Sequence, residues 1–311
     1  MFASVRQDVV RAKPTFWELL YLSSVVQRIL PQLIAVVCLS PLLVVLHRRG
    51  WTQIPTIPTV GLSVIGAALS ILAAFRNSAS YERWWEARKV AGLLVVEARN
   101  LSRQAQSYIA AVPGDELSRR ISLRCIAFIQ VTRDFLLDRP AGEDTAPYLS
   151  SEERAVLASS RNRSSRLLAA FSADIAGAVA AGRLSPQMAR TLEDRVVALT
   201  LAYGMLERTK VTPIPFSYSL ALHRLTYIFC FLVPFGIADP ASYWAPPLAL
   251  IISYIFFGLD VLADVMEAPF SDTFMVIPLD AMARVVEINV LESLGEKDLP
   301  EPIRPKNFVL T

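Results

Sequence analysis

The sequence predicts an all-α membrane protein, in which four transmembrane helices are joined to a helical soluble region. Three stretches, residues 29–46, 50–75 and 225–259, together hold 79 residues and a single charged side chain, Asp239. The other 232 residues carry 58 of the 59 charged side chains, which is the usual share in soluble globular protein. No segment keeps the alternation of polar and apolar residues that marks a strand. These features exclude a wholly soluble enzyme, a fibrous protein and a disordered one.

Residues 1–28 are interpreted as an N-terminal arm. The first half of this arm holds four charged residues and no apolar core, so it lacks the pattern of a cleaved secretory signal. The apolar run at residues 29–46 follows, and it is just long enough to cross the hydrocarbon core of a bilayer. Pro31 and Pro41 should perturb this first span, and its helix can extend back over residues 19–28.

A second span is predicted at residues 57–75, so that residues 29–75 contain transmembrane helices 1 and 2. Trp51, near the start of the second span, is a typical interface anchor. The span is rich in glycine, alanine and serine. Small side chains let neighbouring helix backbones approach closely in a membrane, so this helix is expected to pack tightly against others.

Transmembrane helices 3 and 4 are predicted within residues 222–265. The apolar run at residues 225–259 is too long for one span. A turn around Asp239, followed by further prolines, divides it. The helices are therefore expected at roughly residues 222–237 and 247–265.

The soluble helical region is predicted at residues 76–221. Apolar residues recur there at intervals of three and four, which indicates amphipathic helices with one buried face. The stripes are Leu94, Ala98, Leu101, Ala105, Tyr108 and Val112; Ile121, Cys125, Phe128, Thr132 and Phe135; Leu168, Phe171, Ile175 and Val179; and Leu192, Val196, Leu199, Tyr203 and Leu206. Ser150 and Glu153 have the spacing of a capping box, and Ser185 followed by Pro186 is typical of a helix start.

Four spans place both chain termini on one side of the membrane. The N-terminal arm, the soluble region and a C-terminal segment at residues 266–311 are therefore expected to be cytosolic. The positive-inside rule supports this orientation, because the turn around Asp239 carries no basic residue. Arg48 and Arg49 would then lie outside, against the rule.

Composition and motifs exclude several classes of protein. A net charge of +3 is too small to indicate binding of nucleic acid. Cys38, Cys125 and Cys230 lie far apart, which favours buried free thiols over a disulfide framework or a zinc site. The chain has no glycine-rich phosphate loop, no zinc-binding helix motif and no nucleophile elbow. No charge pair is visible within the spans, as a proton-coupled pump would require. We expect neither an enzyme nor a resident metal or cofactor.

One face of the second span carries a possible pore lining. Ala67, Ile71 and Phe75 are spaced four residues apart, so they share a helix face. If several copies surrounded an axis, Ile71 and Phe75 would form stacked apolar rings, and such rings can gate a pore by dewetting. The same spacing is typical of a face that packs on neighbouring helices, and the pattern alone favours packing.

Three acidic residues, Asp260, Asp264 and Glu267, share a helix face at the end of the fourth span. Such a face could bind a hard cation through its oxygens. The favoured interpretation is a solvated helix end, because few other acids cluster nearby. Pro213 and Pro215, before the third span, predict a structural elbow.

Four blocks of residues resemble the bacterial branch of the bestrophin family. They are Phe75-Arg76-Asn77-Ser78 with Tyr81-Glu82-Arg83-Trp84-Trp85-Glu86-Ala87-Arg88; Pro213-Ile214-Pro215-Phe216-Ser217-Tyr218; Phe257-Gly258-Leu259-Asp260 with Pro269-Phe270; and Pro278-Leu279-Asp280. The first resembles the segment after the family's pore neck, and the second resembles the start of its third membrane helix. The last two resemble the end of the fourth membrane helix and the motif just downstream. Each block is modest by itself, but together and in this order they are specific.

This resemblance implies a homopentameric ion channel with four membrane helices per subunit, a cytosolic helical bundle and a central pore. The second helix would line the neck of the pore. The family's three neck positions fall on Ala67, Ile71 and Phe75, which reverses the preference for simple packing. Ala67 is smaller than the family's usual residue, so a neck wider at its outer end is expected.

The resemblance also implies a second, lower constriction near residues 182–188. Its candidate residues are Leu184, Gln187 and Met188. Five further residues near the neck are expected to have structural or interface roles: Arg76, Arg83, Trp84, Trp85 and Glu86.

Calcium-gated bestrophins bind calcium in an acidic cluster after the segment that corresponds to Pro269-Phe270. Residues 269–276 of this chain contain one acid, Asp272. Calcium requires about six to eight oxygen ligands, so we expect no calcium clasp and no calcium gating.

The expected function is passive passage of small monovalent ions through an apolar neck in the inner membrane of a bacterium. Because the neck is uncharged, its sequence does not decide whether the conducted ions are chloride or other anions, or sodium-type cations. Membrane lipid, small inorganic ions and identical subunits are the expected partners. A membrane transporter or exporter would call for an intramembrane polar site and internal repeats, neither of which is visible. A non-conducting membrane scaffold is the other alternative.

Overall fold

The computed structural model describes residues 24–51, 57–109, 115–140, 143–238, 243–271 and 277–304. Within these ranges the chain forms nine α-helices and one short 3₁₀ helix, Glu143–Tyr148, and it forms no strand. The α-helices are α1 (Ser24–Arg48), α2 (Thr59–Tyr108), α3 (Glu116–Leu136), α4 (Ser151–Ser159), α5 (Arg163–Ala180), α6 (Pro186–Val211), α7 (Phe216–Ile237), α8 (Ala245–Glu267) and α9 (Leu279–Ser293). The all-α fold predicted from the sequence is confirmed.

The described residues divide into two compact units. The span unit contains the described residues up to Trp84 together with Pro213–Pro269. The soluble unit contains the described residues of Trp85–Thr212 and of the C-terminal part of the chain from Phe270. The 50-residue helix α2 begins in the span unit and continues into the soluble unit. Its apolar first part therefore runs without a break into its charged second part.

Among the residues that the structure describes, four helices are long and apolar enough to cross a membrane, the number that the sequence predicts. They are α1, the long helix α2, and the pair α7 and α8. In the span unit, α1, α7 and α8 pack closely against one another. Their shared core includes Val36, Cys230 and Ala249, none of which is exposed. Burial of these apolar side chains holds the three helices together through dispersion contacts.

The spans extend further than the apolar runs predict. Helix α7 begins at Phe216, directly after Pro215, and α8 has a proline in its first turn. Proline is tolerated at these positions because the first backbone N–H groups of a helix have no intrahelical acceptor. In α1, Pro31 and Pro41 lie inside a continuous helix, so they do not end the span as proline usually would in a soluble helix.

Close approach of helices in the span unit depends on two glycines. A Cβ atom at Gly66 of α2 would lie 2.8 Å from Cζ of Phe229 in α7. A Cβ atom at Gly236 would lie 2.6 Å from Cδ2 of Leu62. Real side chains do not approach this closely. Alanine at Gly66 would require the buried Phe229 ring to move, and alanine at Gly236 would require the end of the Leu62 side chain to move. At Gly61, by contrast, nothing lies within 4 Å of such an atom.

The soluble unit is built on the amphipathic stripes predicted from the sequence. Phe128 of α3 is fully buried, and its ring meets Phe171 of α5 and Tyr203 of α6 edge-on at centroid distances of 6.4 and 6.5 Å. Burial raises the pKa of the Cys125 thiol to about 12. Burial and a hydrogen bond to Glu207 raise the pKa of Tyr203 to about 12. Three of the four predicted stripes thus meet in one aromatic cluster.

Helix starts in the soluble unit are capped as the sequence predicts. Ser150 and Glu153 form a full capping box at the start of α4. Ser185 accepts a hydrogen bond from the Met188 N–H at the start of α6. Asp115 caps α3, and the N–H of Ser118 lowers the pKa of its carboxyl by donating to it. Each cap satisfies a backbone donor that the helix itself leaves unpaired.

Helix α9 was not expected as an element, although its first residues form part of a family block. Leu279, Ala283, Val286 and Val290 are buried along one of its faces. This spacing of four, three and four is the amphipathic signal used elsewhere in the chain. The helix could therefore have been predicted from its own sequence.

Candidate functional site

The three predicted neck residues share one exposed face of α2. Ile71 is 59% exposed and Phe75 is 66% exposed, and Ala67, one turn earlier, is also exposed. These side chains therefore do not pack within the protomer, as a simple packing face would. Whether they line a pore depends on how copies of the chain assemble.

The opposite side of the same helix is buried. Leu62, Leu69, Arg76 and Ser80 form this stripe, and each is less than 9% exposed. The first three residues are seven positions apart, a spacing that keeps side chains on one helix face. Arg76 therefore occupies a position at which the periodicity would place an apolar residue. Arg76 thus places a buried charge within this stripe, directly beside the exposed Phe75 in the sequence.

Arg76 meets the acidic face of α8. Its Nη1 donates to Asp260 Oδ1 at 2.5 Å, and both side chains are almost fully buried, at 3% and 4% exposure. Its Nη2 donates to Asp264 and lies 3.6 Å from Glu267 Oε2. The three acids are spaced by four and three residues, so successive turns of α8 present them to one guanidinium. Charge-assisted hydrogen bonds of this kind are stronger than neutral ones.

The other oxygen of Asp260 meets α7. Asp260 Oδ2 lies 2.6 Å from Nδ1 of His223, which donates to it in the tautomer that satisfies both groups. The His223 ring lies 4.4 Å, centroid to centroid, from the ring of Tyr227. The Tyr227 hydroxyl lies 2.8 Å from the side-chain amide of Gln32 in α1. Polar groups from α1, α2, α7 and α8 therefore form one connected network.

One expectation from the sequence is wrong here. Asp260 is not part of a solvated helix end, because its carboxylate is buried between Arg76 and His223. The ion pair of Arg76 and Asp260 was also not predicted, because Arg76 lies one residue beyond the predicted second span. Sequence reasoning missed the role of His223 as well. Its position just before the apolar run at residues 225–259 was the signal that could have found it, because ionisable residues at a membrane span usually have a partner.

The acidic face also has the donor set of a metal site. One ligand atom each of His223, Asp260 and Asp264 lie within 4.8 Å of one another. Both aspartates, however, already accept hydrogen bonds from Arg76. The guanidinium supplies the positive charge that the buried Asp260 carboxylate needs, and it also pairs with the half-exposed Asp264. The geometry therefore favours a structural ion-pair cluster over a cation site.

The other residues predicted near the neck have separate contacts. Arg83 Nε donates to the backbone oxygen of Glu267 at 2.9 Å and so ties α2 to the end of α8. Trp84 stacks against Tyr81 at a centroid distance of 6.3 Å. In the soluble unit, Trp85 is 45% exposed.

Glu86 accepts a hydrogen bond from Arg208 at 3.0 Å on the surface of the soluble unit. Both side chains of this pair are exposed, and an exposed pair contributes little to stability. Arg83 therefore has a partly buried structural contact, whereas Glu86 has a solvated one.

The three candidates for a lower constriction differ in exposure. Leu184 is 4% exposed, so its side chain belongs to the core of the soluble unit. Met188 is 43% exposed, and Gln187 beside it is also exposed. They lie in the first turn of α6, after a turn in which Gly182 has a φ of +69°. Gln187 and Met188 are thus available to face a pore, whereas Leu184 is not in this conformation.

The segment compared with the calcium cluster of the family is described only at its start. Pro269 and Phe270 are buried. Residues 272–276, which contain the single acid of the segment, lie outside the described residues. The absence of a calcium clasp stays a prediction.

Comparison with known proteins supports the resemblance found in the sequence. A model of the bacterial and fungal bestrophin proteins matches residues 8–292. A voltage-dependent anion channel-forming protein of Mesorhizobium japonicum is 34% identical over 290 residues, which is 93% of each chain. A protein of the same description from Escherichia coli K12 is 34% identical over 250 residues, 80% of this chain and 81% of that one.

The fold is similar to that of a solved membrane protein. The crystal structure of a bacterial bestrophin homologue from Klebsiella pneumoniae has a TM-score of 0.82 and 30% sequence identity, and the match covers 87% of this chain and all of that one. The family match covers most of the chain, and the curated relatives and the solved structure agree with it. The chain therefore belongs to the bacterial and fungal bestrophin family.

Proposed function

We propose that this protein is an ion channel and that Ala67, Ile71 and Phe75 line the neck of its pore. The observation that carries the proposal is the pair of faces on α2. The neck face is exposed and apolar in the protomer, whereas the opposite stripe is buried against the other spans. A face with these properties in a membrane helix needs either lipid, a partner copy or a water-filled pore next to it. The names of the curated relatives, which are anion channel-forming proteins, favour the pore.

The proposed assembly is a homopentamer in which five copies of α2 surround the axis. Closed cyclic symmetry would turn each exposed residue of the neck face into a ring of five. Ile71 and Phe75 would then form two apolar rings, one helical turn apart. Apolar rings of small radius exclude water, and this provides a gate without any charged residue.

The proposed ions are small monovalent anions such as chloride. The curated relatives are named for anion passage. The neck itself carries no charge in residues 50–75, so it does not set the sign of the ion by a charged ring. Sodium-type cations are the rival ions. We also propose that calcium does not gate the channel, because the segment after Phe270 holds a single acid.

The proposed location is the inner membrane of a bacterium, with both termini and the soluble unit in the cytoplasm. The even number of apolar helices supports termini on one side. Gln187 and Met188 are the proposed pore-facing residues of the soluble unit. Their exposure supports this assignment over Leu184.

Recording from purified protein in planar bilayers tests the proposal. In asymmetric potassium chloride, an anion channel should show a reversal potential near the equilibrium potential of chloride. A reversal potential near the equilibrium potential of potassium would show that the channel selects cations and would overturn the proposed anion selectivity. A stable pentamer that stays silent under all conditions would support the alternative of a non-conducting scaffold. Uptake that is coupled to a second ion and saturates would support a transporter or exporter.

A further inference from the structure

We propose that Arg76 is a positioning residue of the neck. Through its ion pair with Asp260, Arg76 holds α2 at the rotation that presents Phe75 to the pore. The inference rests on the proposed function, because it assumes that Phe75 belongs to the neck. In this proposal the ion pair of Arg76 and Asp260 fixes the direction of the side chains that line the pore.

The first step is the relation between neighbouring side chains on α2. Successive residues of an α-helix are about 100° apart around its axis. Arg76 is 3% exposed and Phe75 is 66% exposed, so the two side chains point to different sides of the helix. A rotation of α2 that withdrew Arg76 from Asp260 would also turn Phe75 away from its present direction.

The second step is the kind of contact that resists such a rotation. Above Arg76, the buried stripe of α2 holds Leu62 and Leu69. Apolar contacts are not directional, so they define the rotation of a helix less sharply than hydrogen bonds do. At Gly66, which has no side chain, the helix surface lies directly against the Phe229 ring. A guanidinium held by two carboxylates is directional, because both of its terminal nitrogens must stay in line with fixed oxygens.

The third step is the rigidity of the acceptors. Asp260 and Asp264 are one turn apart on α8, and Arg76 bonds to both. His223 of α7 holds the other oxygen of Asp260. Within the described residues, Arg76 Nε is buried and has no hydrogen-bond partner. The carboxylates of α8 therefore determine where the guanidinium lies, and α7 helps to fix the carboxylates.

The experiment measures the direction of position 75. Single cysteines are placed at Phe75 and at Ala73, two residues away and on another side of the helix, in a Cys38→Ala background. Their rates of reaction with a small water-soluble methanethiosulfonate are compared in the assembled protein. The ratio of the rate at position 75 to that at position 73 reports how α2 is rotated. Current is recorded from the same preparations.

The informative background is the double variant Arg76→Met with Asp260→Leu. It removes the two almost fully buried charges together. Asp264 and His223 each lose a partner, but they are 48% and 40% exposed, and Glu267 keeps the Ser219 hydroxyl as a donor, so the variant should still assemble. We expect the rate ratio to fall by about fivefold or more as the neck face loses its fixed direction. Arg76→Lys with Asp260 intact keeps a charged contact but loses the two-nitrogen fork of the guanidinium, so its ratio should lie between those of the wild type and the double variant.

Leu69→Ala is the matched control on the same buried stripe. It weakens packing but keeps the ion pair, so it should lower the melting temperature and leave the rate ratio unchanged. If Leu69→Ala lowers the ratio as much as the double variant does, the ratio reports general loosening and the inference is overturned.

Two results separate the inference from the proposed function. If the cysteine at position 75 reacts and the ratio is the same with and without the ion pair, the positioning role is wrong while the channel stands. If the cysteine at position 75 does not react even beside intact Arg76, the neck does not face water and both proposals are overturned.

Discussion

Arg76 and Asp260 form a buried ion pair, 184 residues apart in sequence and 2.5 Å apart in space. Arg76 stands in a helix stripe that is otherwise apolar or small, and Asp260 stands at the end of an apolar span. Removing charges from water is costly, and the cost is offset here because the partners also bond to Asp264 and His223. Specific contacts between named atoms also determine the packing of α2 on α7 and the capping of α3.

Breaking the ion pair from one side should destabilise the protein more than removing it altogether. Arg76→Met leaves Asp260 buried without its main partner, and we expect a loss of about 3–5 kcal/mol. Arg76→Met with Asp260→Leu should recover most of that loss. The measurement is thermal unfolding of the assembled protein in detergent. A double variant that is less stable than Arg76→Met would contradict the account of the pair.

Widening the proposed neck should increase the current. Ile71→Ala with Phe75→Ala removes the two large apolar side chains of the neck face, so the barrier to wetting should fall. Bilayer recording at fixed voltage and salt checks this. Ile251→Ala is the control, because Ile251 is similarly exposed, at 55%, but lies on α8. An unchanged current in the double variant, or an equal increase in the control, would show that the neck lies elsewhere.

Adding a methyl group at Gly66, where α2 lies close to α7, should destabilise the protein. The new Cβ of Gly66→Ala would lie 2.8 Å from the Phe229 ring, and overpacking of this kind costs about 1–3 kcal/mol. Gly61→Ala is the matched control on the same helix, where nothing lies within 4 Å. It should be neutral or stabilising, because alanine favours helix. The melting temperatures of the two variants should therefore move in different directions.

Restoring space opposite Gly66 should rescue the variant. Phe229→Leu replaces the ring that the new methyl group meets, so Gly66→Ala with Phe229→Leu should be less harmful than the two single effects combined. If the effects simply add, the clash with this ring is not the cause of the loss.

The cap of α3 should make stability depend on pH in the soluble unit. Asp115 has a lowered pKa because the N–H of Ser118 donates to its carboxylate and Arg183 lies beside it. A group whose pKa is lower in the folded state stabilises the protein above its unfolded pKa, and this contribution is lost as the pH falls through the folded pKa. Asp115→Ala should cost about 1 kcal/mol at pH 7.

The difference between wild type and Asp115→Ala should shrink as the pH falls below the ordinary range of aspartate. Unfolding followed at pH 7 and at acid pH checks this. Asp115→Asn keeps a capping oxygen without the charge, so it should lose less at pH 7 and show a weaker pH dependence. A difference that is the same at both pH values would assign the effect to helix propensity.

Much of the architecture follows from local pattern. The stripe around Phe128 predicts α3, and the structure places that side chain at the centre of the soluble core. The break around Asp239 predicts two helices, and α7 and α8 lie on either side of it. Helix ends were less accurate, since α7 begins six residues before the predicted start at residue 222. Prolines in and before a first turn permit a helix to start there, but apolar periodicity does not reveal it.

One part of the candidate site could likewise be predicted from local sequence pattern, and another part could not. The shared face of Ala67, Ile71 and Phe75 follows from spacing, because residues four apart on any helix point the same way. The burial of Asp260 does not follow from spacing, and a solvated helix end was the wrong prediction for it. Its state depends on which side chain of another helix reaches it.

The sequence by itself determined the number of spans, the unbroken passage of α2 from apolar to charged residues, and the residues on the proposed neck face. Bilayer thickness and helix periodicity act over short stretches of chain, so they can be read locally. Only the tertiary structure decided that Arg76 is paired with Asp260, that His223 completes the pair, and that Leu184 is buried while Met188 is exposed. These outcomes depend on how helices distant in sequence cross, and the strength of a buried charge contact changes steeply with distance and burial.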